Sequence, residues 1–217
     1  MKRSPRSRDL LTAACMAMLC AGPFLQPVRA DSPAWREADY ARFTPQTFGA
    51  YGPAQQLIDP RAIDYELLSA AIHYATNEAR TKNGGSPLVH SPALRRSAFE
   101  HSRDMATGNF FSHENPQSDA KRTPWQRMAA NGITGGSRAE NIAMRQTQSV
   151  TYHAFASALV QQWMKSKAHR ANILNPKFKF VGCGAYARPG RLLELLATQN
   201  FSDSVPAAPS SPAPNVR

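Results

Sequence analysis

The chain has 217 residues, with 26 Lys and Arg against 15 Asp and Glu, a formal net charge of +11 and 42% hydrophobic residues. That composition allows one domain with tails, or two very small domains, and excludes collagen, a coiled coil and a multi-span membrane protein. Three cysteines are too few for a disulfide-stapled scaffold, and seventeen prolines point to extended segments outside the fold.

Residues 1–30 read as a signal peptide. Lys2, Arg3, Arg6 and Arg8 form a basic n-region, Leu10 to Pro23 an apolar stretch, and Val28-Arg29-Ala30 an A-x-A-like cleavage site before Asp31. The apolar run falls short of the ~20 residues that cross a bilayer, and neither Cys15 nor Cys20 stands in a suitable lipobox. Cleavage removes five positive residues and one negative, so the net charge falls from +11 to +7. It also removes two cysteines and leaves Cys183, between Gly182 and Gly184, as a small buried hydrophobe. The expected location is secreted or periplasmic, and the core must hold the fold without a disulfide.

Residues 31–60 form an N-terminal extension without a clear period, whose Trp35, Tyr40, Phe43, Phe48 and Tyr51 are suited to packing on a domain spanning 61–201. Within that domain, Tyr65, Leu68, Ile72, Ala75 and Ala79 recur at three- and four-residue steps, one face of a helix that Gly84-Gly85 ends. Ser91-Pro92 reads as an N-cap followed by proline at the first helical position. The helix it opens carries Leu94, Ala98, His101 and Met105 on one stripe, with His101 as a core histidine. Thr123-Pro124 opens a short helix and Asn131-Gly132 closes it; Glu140 to Met144 suits a strand. Thr151 to Lys165 is a longer helix, and Ser166 to Leu174 another turn or two, stopped by Asn175-Pro176. Phe178 to Tyr186 alternates as a strand, Pro189-Gly190 turns the chain, and Leu192 to Phe201 is its hairpin partner. Residues 202–217, with four Pro, four Ser and three Ala, read as a disordered tail. Helices first and strands last is an α+β pattern with an antiparallel sheet.

Four segments stand out together: Asn77-Glu78-Ala79-Arg80, Phe111-Ser112-His113-Glu114-Asn115-Pro116, Ala139-Glu140-Asn141-Ile142-Ala143, and Trp163 to Leu174 with Ser166 and His169 inside it. Their order and spacing resemble the CAP superfamily (cysteine-rich secretory proteins, antigen 5, pathogenesis-related 1) in its short bacterial secreted branch, over about Ile63 to Phe201. The resemblance implies an α-β-α sandwich, with a small antiparallel sheet between helical layers and a surface cleft. Such clefts typically carry two His and two Glu, and a divalent cation is sometimes held by the His pair. By position the first His is His113, the first Glu is Glu140 and the second His is His169. Ser166 stands where the second Glu falls.

The residues can also be weighed on their own chemistry. His113 and His169 are 56 apart, so no local motif such as H-E-x-x-H makes them ligands. Brought together, two imidazoles and one carboxylate make the minimum for a three-ligand zinc site. Alternatively Glu140 bonds one imidazole and fixes its tautomer, leaving a weaker two-His site at His113 and His169. Ser166 and His169 share a helix face, so a Ser-His-Glu triad can be drawn, but Ser166 without a G-x-S-x-G elbow reads better as a cap. Asn77, Arg80, Asn141 and Asn172 suit structural bonding, and Asn115-Pro116 is a turn signal.

From Lys165 to Arg191 there are seven positive residues and no Asp or Glu: a solvated face, or one that attracts anionic envelope polymers and lipid headgroups. No nucleic-acid motif appears. These features support a monomeric exported protein that binds a lipid-like molecule, an envelope glycan or a protein. The rival is a metal-assisted hydrolase with zinc on His113 and His169 and Glu140 as the candidate base; a third reading is an envelope module with a vestigial cleft. Intact-mass measurement of exported material should give a product beginning at Asp31; one retaining residues 1–30 would show an anchor instead.

Overall fold

The computed structural model describes residues 34–190 and 192–205; residues 1–33, with the expected signal peptide 1–30, Arg191 and residues 206–217 lie outside the described residues. Helix α1 (Pro45–Phe48) lies in the N-terminal segment between two 3-10 turns, Glu37–Ala41 and Gly52–Gln55. Helix α2 (Tyr65–Lys82) starts at Asp64, whose side chain accepts from the Leu67 amide, and stops where Gly84 takes a φ of 76°. The periodicity predicted one buried face, but every residue from Leu67 to Asn77 is buried. The reason is a second cover: Trp35, Phe48, Ala54 and Ile58 of the N-terminal segment pack into the same core, with Tyr74 stacked on Phe48.

The local stop and start signals act as their chemistry requires. Ser91 accepts from Leu94 N and opens α3 (Pro92–Thr107); Leu94, Ala98, His101 and Met105 are all buried. Thr123 and Gln126 form a capping box for α4 (Pro124–Ala130). Thr151 caps α5 (Tyr152–Lys165), and α6 (Lys167–Leu174) follows after one residue, Ser166. Three long strands are antiparallel neighbours: β2 (Arg138–Thr147), β3 (Phe180–Arg188) and β4 (Leu193–Ser202), with β4 in the centre. A short strand, β1 (Val89–His90), adds a parallel pair to β3 and was absent from the sequence reading, so the sheet is not wholly antiparallel. Two residues give no detectable alternation, and the pairing is fixed by non-local bonds, Val89 N to Lys179 O and Ser91 N to Val181 O.

Alternation along the strands assigns the two layers. Gly182, Asn200 and Glu140 form one row across the sheet, and Cys183, Gln199 and Asn141 form the next, facing the opposite way. The first row faces α3: a Cβ on Gly182 would overlap the Arg95 amide, and one on Gly184 the Phe99 backbone. The second row faces α2 and α6, where Gln199 Nε2 contacts Thr76 Oγ1 and Asn172 Nδ2 donates to Asn141 Oδ1. The sheet is therefore a filling between helical layers. Beyond Phe201 the chain stays paired, with Asp203 N donating to Ser137 O and Ser137 N to Asp203 Oδ2.

Gly184→Ala should cost about 2–3 kcal/mol, because its methyl group would have to displace helix backbone rather than a side chain. Gly190→Ala, where nothing lies nearer than 3.8 Å, should stay within about 0.5 kcal/mol of the parent. Urea denaturation of the two variants checks the contrast; equal losses would mean that α3 does not rest on the glycines.

Candidate functional site

Strand β2 lies at the sheet edge, where the two helical layers come within reach of one another. Consecutive residues on it point to opposite layers, so Glu140 enters the α3 side and Asn141 the α6 side. On the first side, the loop between α3 and α4 brings His113, whose Nδ1 lies 2.9 Å from Glu140 Oε1. On the second, Asn141 Nδ2 donates to the backbone carbonyl of His169 at 3.2 Å, and so fixes the first turn of α6. The two imidazoles end up close enough that His113 lowers the pKa of His169, adding to a larger effect of burial.

Glu140 is 7% exposed, and its carboxylate is engaged on both oxygens. Arg127 Nη2 donates to Oε1 and Oε2, each at 2.9 Å, while His113 Nδ1 donates to Oε1. With the Asn200 amide nitrogen turned toward it, a further donor reaches Oε2 at 3.1 Å, and the Asn200 oxygen then accepts from Ser97 Oγ and Ala98 N. The ring proton of His113 therefore sits on Nδ1, and Nε2 keeps its lone pair on a side chain that is 48% exposed.

Arg127 was not among the residues singled out by sequence. It is fully buried, and besides Glu140 it donates to the carbonyls of Lys121, Arg122 and His113, all in the loop that carries His113. The signal in the sequence is slight: an arginine beside Met128 on a two-turn helix usually points to solvent. The loop has two more fastenings. His101 Nε2 lies 3.0 Å from Ser112 O, and burial pushes its pKa down to about 4, so the neutral ring donates there. Its Nδ1 is buried without a partner among the described residues. Asn115, read from sequence as a turn signal, is 2% exposed and does more: its amide donates to Asp104 Oδ2 at 3.0 Å, and its oxygen accepts from Gln117 N.

Ser166 stands at the N-cap of α6, but its side chain makes no capping bond, contrary to the expected role. No hydrogen bond joins it to His169 among the described residues, so no Ser-His-Glu triad is assembled. The basic run is divided: Lys165, Lys167, Lys177 and Lys179 are exposed, whereas Arg188 is turned inward to Glu194 at 2.7 Å and to the carbonyl of Phe110. Asn77 and Arg80 bond to loop backbone as their motif suggested, Asn77 to Leu88, and Arg80 to Ser86, Ile173 and Asn175. Among the described residues no three His, Cys, Asp or Glu side chains converge as a metal-binding group. No helix there is long and apolar enough to cross a membrane.

The family model described as CAP, the cysteine-rich secretory protein family, matches residues 73–201. A Bacillus subtilis protein, YkwD, is 36% identical over 117 residues, 54% of this chain and 41% of that protein. A B. subtilis membrane protein, YlbC, is 27% identical over 154 residues, 65% of this chain and 42% of its own length. The chain thus spans about two fifths of the length of the curated relatives it matches. Among solved structures, an extracellular protein with an SCP domain from Bacillus anthracis superposes with a TM-score of 0.55 and 27% identity, covering 67% of this chain and 44% of that one. An outer surface protein of Borrelia burgdorferi gives 0.53 at 16% identity, over 68% of this chain and 97% of that one, a likeness of fold alone.

Arg127→Met should cost about 3–5 kcal/mol, because it leaves Glu140 buried without its cation. Adding Glu140→Gln should return part of that loss. Thermal or chemical denaturation of the single and double variants decides it: if the second substitution restores nothing, the pair does not anchor the loop.

Proposed function

The chain belongs to the CAP family, the cysteine-rich secretory proteins, and from that premise we propose that it is an exported binding module rather than a hydrolase. One observation carries the reading. The carboxylate that a hydrolytic mechanism would use as base, Glu140, has its lone pairs engaged by Arg127, His113 and the amide of Asn200. A general base needs a free lone pair within reach of the proton it takes. Glu140 instead serves as the group that orients His113, and Ser166 offers no second carboxylate.

The donor set fits a cation held by two imidazoles. His113 presents Nε2 because its other nitrogen is bonded to Glu140, and His169 has its pKa lowered by burial and by its neighbour, which favours the neutral, ligating ring. Zinc is well suited to two imidazoles, with the remaining positions left to water or ligand. Bound there, it would supply positive charge to an anionic group of the ligand. The exposed Lys165 and Lys167 flank Ser166, one turn before His169, and add attraction of the same sign. The ligand class that follows is an anionic envelope molecule, a lipid-like headgroup or a charged glycan, taken up by a monomer outside the cytoplasm. The solved Bacillus anthracis neighbour, an extracellular protein, supports that location.

The double substitution His113→Ala with His169→Ala should lower zinc affinity at least tenfold, measured by titration calorimetry on untagged protein, while the circular dichroism spectrum stays native. Zinc uptake should fall as pH drops, since each ring must be unprotonated to ligate. Ester or peptide hydrolysis by the wild-type protein that disappears on chelation and returns with zinc would overturn the binding reading in favour of the hydrolase.

A further inference from the structure

The family match begins at His73, yet the segment before it, residues 34–64, forms a strap over α2. Its two ends are fastened by different chemistry. At the far end backbone bonds do the work: Leu57 bridges to Thr151, Ile58 N donates to Val150 O at 2.9 Å, and Asp64 N donates to the hydroxyl of Tyr152 at 2.8 Å. At the near end, the turn Glu37–Ala41 is held by rings. Tyr40 stacks on His90 with centroids 3.5 Å apart and planes 11° apart, and meets His73 edge to face at 5.2 Å. Tyr74 donates its hydroxyl to Tyr40 O, and Glu37 lies 3.1 Å from His90 Nε2.

The proton on His73 is fixed by its neighbour. Asn77 is locked by Leu88, whose amide donates to Asn77 Oδ1 and whose carbonyl accepts from Nδ2. The same NH2 group faces His73 Nε2 at 3.1 Å, so Nε2 accepts and the proton sits on Nδ1. Nδ1 of His73, Nδ1 of His90 and the hydroxyl of Tyr40 are all buried without a partner among the described residues. A second proton on His73 would go to Nε2. There it meets an NH2 donor that Leu88 keeps from turning, and it places a cation 5.7 Å, ring to ring, from His90.

We infer that the turn Glu37–Ala41 is an acid-released latch: protonation of His73, with His90 beside it, undoes the near end of the strap while the anchor at Leu57–Thr151 holds. Burial first, and His90 second, push His73 down to about 3. Freed into water, the ring would take its proton at about 6.5. The closed form thus binds the proton more weakly than the open form, so opening is favoured as pH falls between those values, by up to about tenfold per pH unit. The groups facing the pair are Glu37 and Tyr40 from the turn, Tyr74 and Asn77 from α2, and Arg95 from α3, which is paired with Glu66 at 2.8 Å. Cys183 on β3 also faces Tyr40, but burial pushes its thiol up to about 12, so it is neutral. Among them only Glu37 answers a new positive charge directly, and it is exposed.

Hydrogen exchange of the full chain, followed by mass spectrometry from about pH 7 to about pH 4 and corrected for intrinsic rates, tests the latch. Peptides covering 35–43 should open about tenfold more per pH unit below the histidine range, while those covering 193–202 on β4 stay protected. His73→Gln, whose new carbonyl can still accept from Asn77, should flatten the dependence. Glu37→Gln, a surface change that leaves the core intact, should increase the opening at each pH below the histidine range, because the closed form loses the carboxylate that answers the added charge. Loss of protection in both segments together, a pH-independent turn in the wild type, or unchanged opening in Glu37→Gln would each overturn the inference.

Discussion

The site depends on a guanidinium buried beside a carboxylate. Arg127 and Glu140 are almost wholly removed from water, and an unpaired charge in that position would be severely unfavourable. Arg127 is therefore obliged to find acceptors, and it finds them in the loop that carries His113 as well as in Glu140. The desolvation of one side chain thus fixes a 16-residue connection, Gly108 to Thr123, that contains little regular structure of its own. Loops of that length without such anchoring are usually mobile. Here the buried cation, His101 and Asn115 together hold the loop against the sheet edge.

The centre of the sheet is unusually polar for its burial. Thr198, Gln199 and Asn200 follow one another on β4 with no exposure, Thr198 and Asn200 facing the α3 layer and Gln199 the α2 layer. Thr198 accepts from Ser102 of α3, Gln199 contacts Thr76 of α2 and Asn141 of β2, and Asn200 joins Ser97 of α3 to Glu140. Such buried bonds add little net stability each, but leaving any of them unmade is costly. They specify how the helical layers register on the strands, and with that where the β2 edge holds Glu140 and Asn141.

What could be read from sequence divides along the same physical line. Ser91, Thr123 and Thr151 were legible as helix starts because a cap depends on residues three positions away. His113, Glu140, Ser166 and His169 were legible only through their joint resemblance to a family, since nothing local relates residues so far apart. Strand β1, the burial of Arg127 and the covered outer face of α2 were not legible, because each is decided by what packs on it. Gly182 and Gly184 sit between these cases. Their flanking of Cys183 suggested a small buried stretch, while the close approach of α3 that needs them becomes visible only in three dimensions.

The same reasoning bears on how chemistry is distributed in this fold. A carboxylate that is to act as a base needs partial exposure and an unclaimed lone pair; one that is to hold a ring in place needs the reverse. Burying Arg127 against Glu140 selects the second condition, and the serine at position 166 removes the alternative base on the α6 side. What the edge of the sheet then presents to solvent is Nε2 of one imidazole and a second imidazole favoured in its neutral form, with the exposed Lys165 and Lys167 just before it in the chain. These are electron-pair donors for a cation and positive charge for an anion, placed side by side. On the proposed reading, such a surface would gather ligands whose binding group is itself negative, with selectivity set by electrostatics and salt.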